Sequence, residues 1–234
     1  MNASNQVSLP HPSKYFNTLA ALVFLAIAPL LSAEENVATP ALKMHVTFEN
    51  AGSDVTEEGE KIIARCAAKF EEITHRKLGE WSINICFEQQ IRARGANLTS
   101  ADHLRGVTTH GSASSTIRIA TGQRSSWGRI LAHEVTHAFV RNAYGTAVNT
   151  TLNEGLAEYM AEQFYASEVH RDLHNAQWGH FSEKLLPYVE GHRFCSEHVE
   201  DHEFPEFFAK EIKKGTSSYN CLAYEWKMIA SSSN

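Results

Sequence analysis

Clustered positive charge is absent from this sequence. The chain has 21 lysine and arginine residues against 27 aspartate and glutamate residues, a formal net charge of −6, and it contains no run of basic residues. Nucleic acids and anionic membrane surfaces are bound by concentrated basic side chains. The sequence therefore predicts no nucleic-acid partner and no attachment to an anionic membrane surface.

Hydrophobic stretches of membrane length are also missing. The longest apolar run, Leu19 to Leu31, has thirteen residues, whereas a transmembrane helix needs roughly 20. Lys14 precedes the run, and a small residue, Ala33, followed by two glutamates closes it, which is typical of a secretory signal peptide. We predict a signal peptide at residues 1–33, a secreted or periplasmic location and no stable membrane anchor, with an uncleaved anchor as the weaker alternative.

Cysteine is scarce, with four residues in the chain: Cys66, Cys86, Cys195 and Cys221. An even number in an exported chain permits two disulfides. Proximity favours Cys66–Cys86 and Cys195–Cys221. The residue pattern opposes the first pair, because Cys66 falls on the apolar face of a predicted helix and Cys86 alternates away from the apolar face of a predicted strand. Buried free thiols are the alternative.

The composition is that of one globular domain, with 43% hydrophobic and 10% aromatic residues. We place this domain at residues 34–234. Its first part, 34–125, shows a strand, a helix, a strand and then two short strands around a Gly/Ser turn. The corresponding segments are "KMHVTF", "EEGEKIIARCAAKFEEITH", "WSINICFE" and "RGVTTHGSASSTIRIAT". In the helix, Asp54 or Thr56 is the expected N-cap, and Gly79 is expected to break it.

The second part, residues 126–234, is predicted to be mainly helical. "WGRILAHEVTHAFVRNAY" forms one helix that ends at Gly145, and "LNEGLAEYMAEQFYAS" forms the next after a six-residue gap. Short helices and loops follow. The fold class predicted is α+β, with a small N-terminal mixed sheet, one helix packed on it, and a helical half that carries the motifs.

"LAHEVTHAFV" places two histidines four residues apart with a glutamate after the first. On a helix, His133 and His137 lie one above the other and can present two imidazole nitrogens to one ion. Glu134 is rotated by about 100° and can reach a ligand of that ion without occupying a coordination position. The remaining side of the helix forms an apolar stripe of Leu131, Val135, Ala138 and Phe139. The pattern predicts a buried helix whose polar edge faces a cleft.

"TTLNEGLAEY" offers a third ligand. Glu154 follows His137 by seventeen residues, and the residues from Gly145 to Thr150 can span up to about 20 Å, enough for a reversal that returns Glu154 to the ion. A capping box, with Thr151 as cap and Glu154 folded back onto the helix start, is the competing interpretation. Metal ligation is favoured because a ligand carboxylate at this spacing accounts for both motifs.

These residues resemble the gluzincins, the zinc metallopeptidases that include thermolysin-like enzymes and the large zinc aminopeptidases. The similarity lies in "HEVTH" and "NEGLAEY", within residues 133–159. It implies a zincin-like fold and a Zn²⁺ ion held by His133, His137 and Glu154, with Glu134 as general base. It also implies that Glu158 hydrogen-bonds a ligand histidine and fixes its ring.

The sequence departs from that pattern in two ways. Sixteen residues separate His137 from Glu154, fewer than in the two groups named, so Glu158 stays possible as the ligand. The Gly-x-Met-x-Asn segment of the large aminopeptidases is missing, which favours an endopeptidase.

The expected function is an exported zinc metallopeptidase that cleaves a peptide or protein substrate by a zinc-activated water. The alternatives are an exported zinc-binding protein without catalysis and an ordinary core helix. Three candidates could stabilise the oxyanion, Tyr219, Tyr224 and His180, and each is more simply explained as structural. The strand "STIRIA" resembles the edge strand with which zinc peptidases align an extended substrate.

Overall fold

The structure is a computed structural model, and it describes residues 44–91, 106–120, 127–147, 149–175 and 186–231. The predicted signal peptide, residues 1–33, lies outside this part. The described elements belong to one compact unit, Ala41–Asn234. No helix among the described residues has the length and apolar character needed to cross a membrane.

The described part contains four strands and six helices, and the fold is α+β as predicted. The strands are β1 (Met44–Glu49), β2 (Trp81–Glu88), β3 (Gly106–His110) and β4 (Ser114–Ala120). The helices are α1 (Ser53–Thr74), α2 (Trp127–Tyr144), α3 (Thr150–Asn175), α4 (Leu186–His198), α5 (Phe204–Glu211) and α6 (Tyr219–Ala230).

The four strands form one mixed sheet in the order β1-β2-β4-β3. β1 pairs with β2 and β2 with β4 in parallel, whereas β3 and β4 form an antiparallel hairpin closed by a tight turn at Gly111. The predicted β-α-β unit and hairpin are therefore confirmed. The position of "STIRIA" is not as expected, because β4 lies between β2 and β3, and the edge strands are β1 and β3.

Alternation along the strands gives the sheet one apolar face. The inward side chains of β2 and β4 are almost fully buried: Ile83, Ile85, Phe87, Ile117 and Ile119. α1 covers this face with Ile62, Cys66, Phe70 and Ile73, the apolar positions expected from its period. α2 packs on the same face against β3 and β4, so two helices cover the sheet where one was predicted.

The ends of α1 differ from the expected ones. Gly52 occupies the N-cap position without a side-chain hydrogen bond, in place of Asp54 or Thr56. At the other end, His75 adopts the left-handed conformation (φ 52°) and stops the helix before Gly79. Short polar residues beside a helix start are poor guides to the cap, because tertiary packing decides which backbone turn is used.

α2 is buried along almost its whole length, with Leu131, Val135, Ala138 and Phe139 at 0% exposure. Its bounds, Trp127–Tyr144, are those the sequence predicts, and Gly145 follows it with a positive φ of 79°. A helix buried on all sides has to satisfy its polar side chains within the protein. This requirement falls on His133 and Glu134, which are 8% and 7% exposed.

The predicted disulfides are not formed. The structure has four free cysteines, of which Cys66 and Cys195 are buried, Cys86 is half-buried and Cys221 is exposed. Cys66 lies in the core between α1 and the sheet, and Cys86 lies on the opposite, polar face of the sheet. The residue pattern that argued against a Cys66–Cys86 disulfide was therefore a better guide than proximity. Cys66 and Cys195 are buried free thiols.

Candidate metal centre

The two histidines and the glutamate reach one another because the chain reverses sharply between α2 and α3. Asn149, buried in this reversal, accepts a hydrogen bond from the backbone N–H of Leu152 (3.2 Å) and so caps α3. The capping box expected as the alternative is absent from this helix start, since Thr151 donates to the Ser217 carbonyl instead. Glu154 is thereby left to face α2.

Three side-chain atoms from the two helices converge. His133 Nε2 lies 3.1 Å from His137 Nε2 and 3.3 Å from Glu154 Oε2, and His137 Nε2 lies 3.5 Å from the same carboxylate oxygen. A tetrahedral ion with bonds of about 2.0–2.1 Å holds its ligand atoms about 3.3–3.4 Å apart. The triangle has the dimensions of three corners of such a site.

Burial and hydrogen bonding also fit a metal ion. The three side chains are only 10–15% exposed. Glu154 Oε2 is buried and makes no well-directed hydrogen bond within the described part of the chain. A buried carboxylate oxygen without such a bond is costly unless a cation compensates it. His133, His137 and Glu154 are thus positioned to bind a metal ion.

The carboxylates around the three ligand atoms also favour a positive charge at this position. Burial disfavours the imidazolium, yet the carboxylates of Glu154 and Glu158 outweigh this and raise the pKa of His133 to about 10. Burial opposes ionisation of Glu154 as well, but the two imidazoles hold its pKa well below the usual range. Without a metal, a proton on the histidine balances the carboxylates, and a divalent cation would take over that role.

Glu158 lies on the other side of the His133 ring from Glu154. Its Oε1 is 3.2 Å from His133 Nδ1, while its Oε2 contacts the guanidinium of Arg129. Burial raises the pKa of a carboxyl, but His133 and Arg129 together lower that of Glu158. Glu158 is therefore placed to orient a histidine, and Glu154 is the carboxylate on the Nε2 side.

Glu134 points towards β3, one of the two edge strands of the sheet. Thr108 Oγ1 lies 2.6 Å from Glu134 Oε2 and 3.0 Å from the Glu134 backbone carbonyl, so its one hydroxyl proton is shared between these two acceptors. Gly106 makes room for the other oxygen, because a Cβ at this position would lie 2.6 Å from Glu134 Oε1. The β3–β4 hairpin thus provides both the hydrogen bond and the space that this buried carboxylate needs.

Several residues around the site were not anticipated. Arg129 precedes His133 by one helical turn, so the i,i+4 spacing could have indicated it. Thr108 and Gly106 carry no sequence signal, because only the packing of β3 on α2 brings them to Glu134.

Of the three candidates for oxyanion stabilisation, the two that the structure describes, Tyr219 and Tyr224, do not join the cluster. Tyr219 donates its hydroxyl to Glu197, Tyr224 is 64% exposed on α6, and His180 lies outside the described residues.

A comparison with protein families finds one similarity that covers the site. The family model described as DA1-like, protein DA1, matches residues 107–222, just under half of the 234 residues. The matched segment includes all five candidate site residues: His133, Glu134, His137, Glu154 and Glu158. A comparison with curated proteins gives no match.

The prediction of a gluzincin-type zinc metallopeptidase is therefore wrong. The matching model is that of the DA1-like family and not of a peptidase family, and the DA1-like family is not known as one of secreted zinc peptidases. A resemblance confined to short motifs reports local metal-ligand geometry, which unrelated families can share. The alternative of a non-catalytic exported zinc-binding protein gains no support either, and nothing shows a signal peptide.

Proposed function

We propose that this chain is a zinc-dependent enzyme, with His133, His137 and Glu154 as zinc ligands and Glu134 as the proton-accepting group. The observation that carries the proposal is the triangle of 3.1, 3.3 and 3.5 Å between the three ligand atoms. Two histidines and one carboxylate are a donor set typical of catalytic zinc, which keeps a fourth position for a non-protein ligand.

The chain's own residues account for the rest of the site. A zinc ion held by three protein ligands supplies Lewis-acid polarisation to a fourth ligand or to a carbonyl group beside it. Glu134 follows the first ligand directly, and Thr108 holds its Oε2. Oε1, which Gly106 leaves uncovered, is then the atom that accepts a proton. The burial of Glu134 limits competing hydrogen bonds from water.

The presence of the buried acid supports an enzyme over a site that only stores or binds an ion. Metal binding uses the three ligand residues, whereas Glu134 is an additional carboxylate, 7% exposed, seated by two residues of another element. Burying a carboxylate that ligates nothing costs stability. A role in proton transfer explains why this cost is tolerated.

The test compares the wild type with Glu134→Gln, which keeps the shape of the side chain and removes its basicity. Metal content of the purified proteins is measured by mass spectrometry, and turnover is followed on a panel of amide and ester substrates with and without a chelator. We expect one zinc per chain in both proteins and chelator-sensitive turnover in the wild type, reduced at least 100-fold in the variant.

One control variant and two outcomes define failure. His137→Ala should lose the stoichiometric zinc, which ties the metal to this site. Zinc in both proteins with equal turnover would refute the role of Glu134, and iron in place of zinc would refute the choice of metal, since two histidines and a carboxylate also suit iron.

A further inference from the structure

The zinc ligands belong to a longer row of charged side chains between α2 and α3. Along α2, Arg129, His133 and His137 are spaced one turn apart, and along α3, Glu154 and Glu158 are spaced in the same way. The contacts alternate between the helices: Glu154 lies between His137 and His133, and Glu158 lies between His133 and Arg129. Arg129 is the cation at the end of this row that cannot ligate a metal.

We propose that Arg129 is a positioning residue of the zinc centre, acting through Glu158 on the ring of His133. The proposal rests on the zinc site described above and adds a residue that neither the motif nor the DA1-like match singles out. Arg129 contacts Glu158 Oε2, and Glu158 Oε1 lies 3.2 Å from His133 Nδ1. One carboxylate therefore links the guanidinium to the ligand ring.

The link determines which nitrogen of His133 faces the metal. Glu158 Oε1, 3.2 Å from Nδ1, favours a proton on Nδ1, and in this tautomer Nε2 carries the lone pair that can bind a metal. Nε2 is the atom that lies 3.3 Å from Glu154 Oε2 and 3.1 Å from His137 Nε2. If Glu158 turned away, the ring could rotate or exchange its tautomer, and the triangle of ligand atoms would be lost for part of the time.

Burial explains why Glu158 needs Arg129. The side chains of Arg129 and Glu158 are 17% and 12% exposed, so water cannot replace a missing partner effectively. A buried carboxylate that loses its guanidinium partner in such surroundings is destabilised as an anion. Removal of Arg129 should therefore weaken the hold of Glu158 on the His133 ring.

The experiment measures zinc affinity by competition with a chromophoric chelator for the full chain and for Arg129→Met. We expect about a 10-fold loss of affinity, the lower end of the range for residues that support metal ligands. Arg129→Lys keeps the positive charge but not the planar guanidinium, and its loss of zinc affinity should be smaller. The matched control is Arg118→Met, which breaks another arginine–glutamate pair, with Glu88, on the outer face of the sheet, and should leave zinc affinity unchanged.

A double-mutant cycle separates positioning from a general effect on stability. If Arg129 acts through Glu158, then Arg129→Met should have no further effect on zinc affinity in a Glu158→Gln background. An equal loss in both backgrounds, or wild-type affinity in Arg129→Met, overturns the inference and leaves the zinc site intact. If the wild type binds no zinc, both proposals fail. Should Arg129→Met not fold, the same cycle with Arg129→Lys decides the question.

Discussion

Cysteine chemistry shows how strongly the environment of a residue governs its reactivity. Cys86 is half-buried on the polar face of the sheet, where its Sγ lies 3.4 Å from Glu49 Oε2. Burial, and then this hydrogen bond and the negative charge of Glu49, raise the pKa of the Cys86 thiol to about 11. Cys66 and Cys195 are fully buried, which raises their thiol pKa values further. Cys221 alone of the four is exposed.

We therefore predict an order of alkylation by iodoacetamide at pH 8. Cys221 reacts first. Cys86 reacts slowly because only about 0.1% of a thiol with a pKa near 11 is thiolate at that pH, and its rate should rise as the pH approaches 11. The buried Cys66 and Cys195 react only in denaturant. Peptide mass spectrometry gives the order, and a disulfide in the non-reduced protein, or equal rates for Cys86 and Cys221, would contradict the structure.

Glu154 shows what sequence could and could not decide for one residue. Its distance from His137 along the chain allowed either a metal ligand or part of a capping box. The structure removes the second possibility, because Asn149 supplies the cap and Thr151 bonds to Ser217. Both facts depend on the loop after α5 packing against the start of α3, which no local pattern encodes.

At the scale of elements, α3 and α4 cross at two glycines. A Cβ on Gly155 would lie 2.2 Å from the backbone carbon of Gly191, and a Cβ on Gly191 would lie 1.8 Å from the carbonyl oxygen of Thr151. The helices can approach this closely only because both positions lack a side chain. Gly155 adjoins Glu154, so the crossing also fixes the helix turn that carries the carboxylate.

Gly191→Ala should therefore destabilise the protein and weaken the metal site together. We expect the free energy of unfolding to fall by about 3 kcal/mol, because backbone atoms cannot move aside as a flexible side chain does. Urea denaturation gives the stability, and the chelator competition gives zinc affinity. Gly215→Ala is the control, since nothing lies within 4 Å of its added Cβ, and it should change stability by less than about 0.5 kcal/mol. A tolerated Gly191→Ala would show that the crossing is looser than described.

At the scale of the whole molecule, the metal site joins two helices that carry much of the core. α2 packs on the sheet and on α3, and α3 packs on α4. A ligand that binds the folded chain and not the unfolded chain stabilises the fold by mass action. Zinc should therefore stabilise the entire unit and not only the loop between α2 and α3.

We expect zinc at 100 times its dissociation constant to add about 2.7 kcal/mol to the free energy of unfolding. For a chain of this size the corresponding rise in Tm is about 5–10 °C. Thermal denaturation followed by circular dichroism, with zinc and with a chelator, measures it. The double variant His133→Ala/His137→Ala should show no rise, and an equal rise in that variant would mean that zinc acts elsewhere on the protein.

The family similarity covers only part of this fold. Residues 107–222 cover the hairpin from Val107 onwards, the site helices and the start of α6, but leave out β1, α1 and β2. The segment outside the match contributes two of the four strands of the sheet, and its helix α1 packs against α2. Export of the chain and a peptide or protein substrate remain predictions.

The sequence by itself determined the order of the strands and helices from β1 to α3 and the ligand candidates, because both depend on short-range periodicity. Apolar spacing placed α2 at its observed bounds, alternation placed β2, and the i,i+4 histidines could be read from ten residues. Tertiary structure alone decided the rest: the cap at Asn149, the seat that Thr108 and Gly106 provide for Glu134, the edge position of β3 and the free state of the cysteines. Each of these depends on contacts between residues far apart in the chain, and such contacts are settled only when the whole core packs.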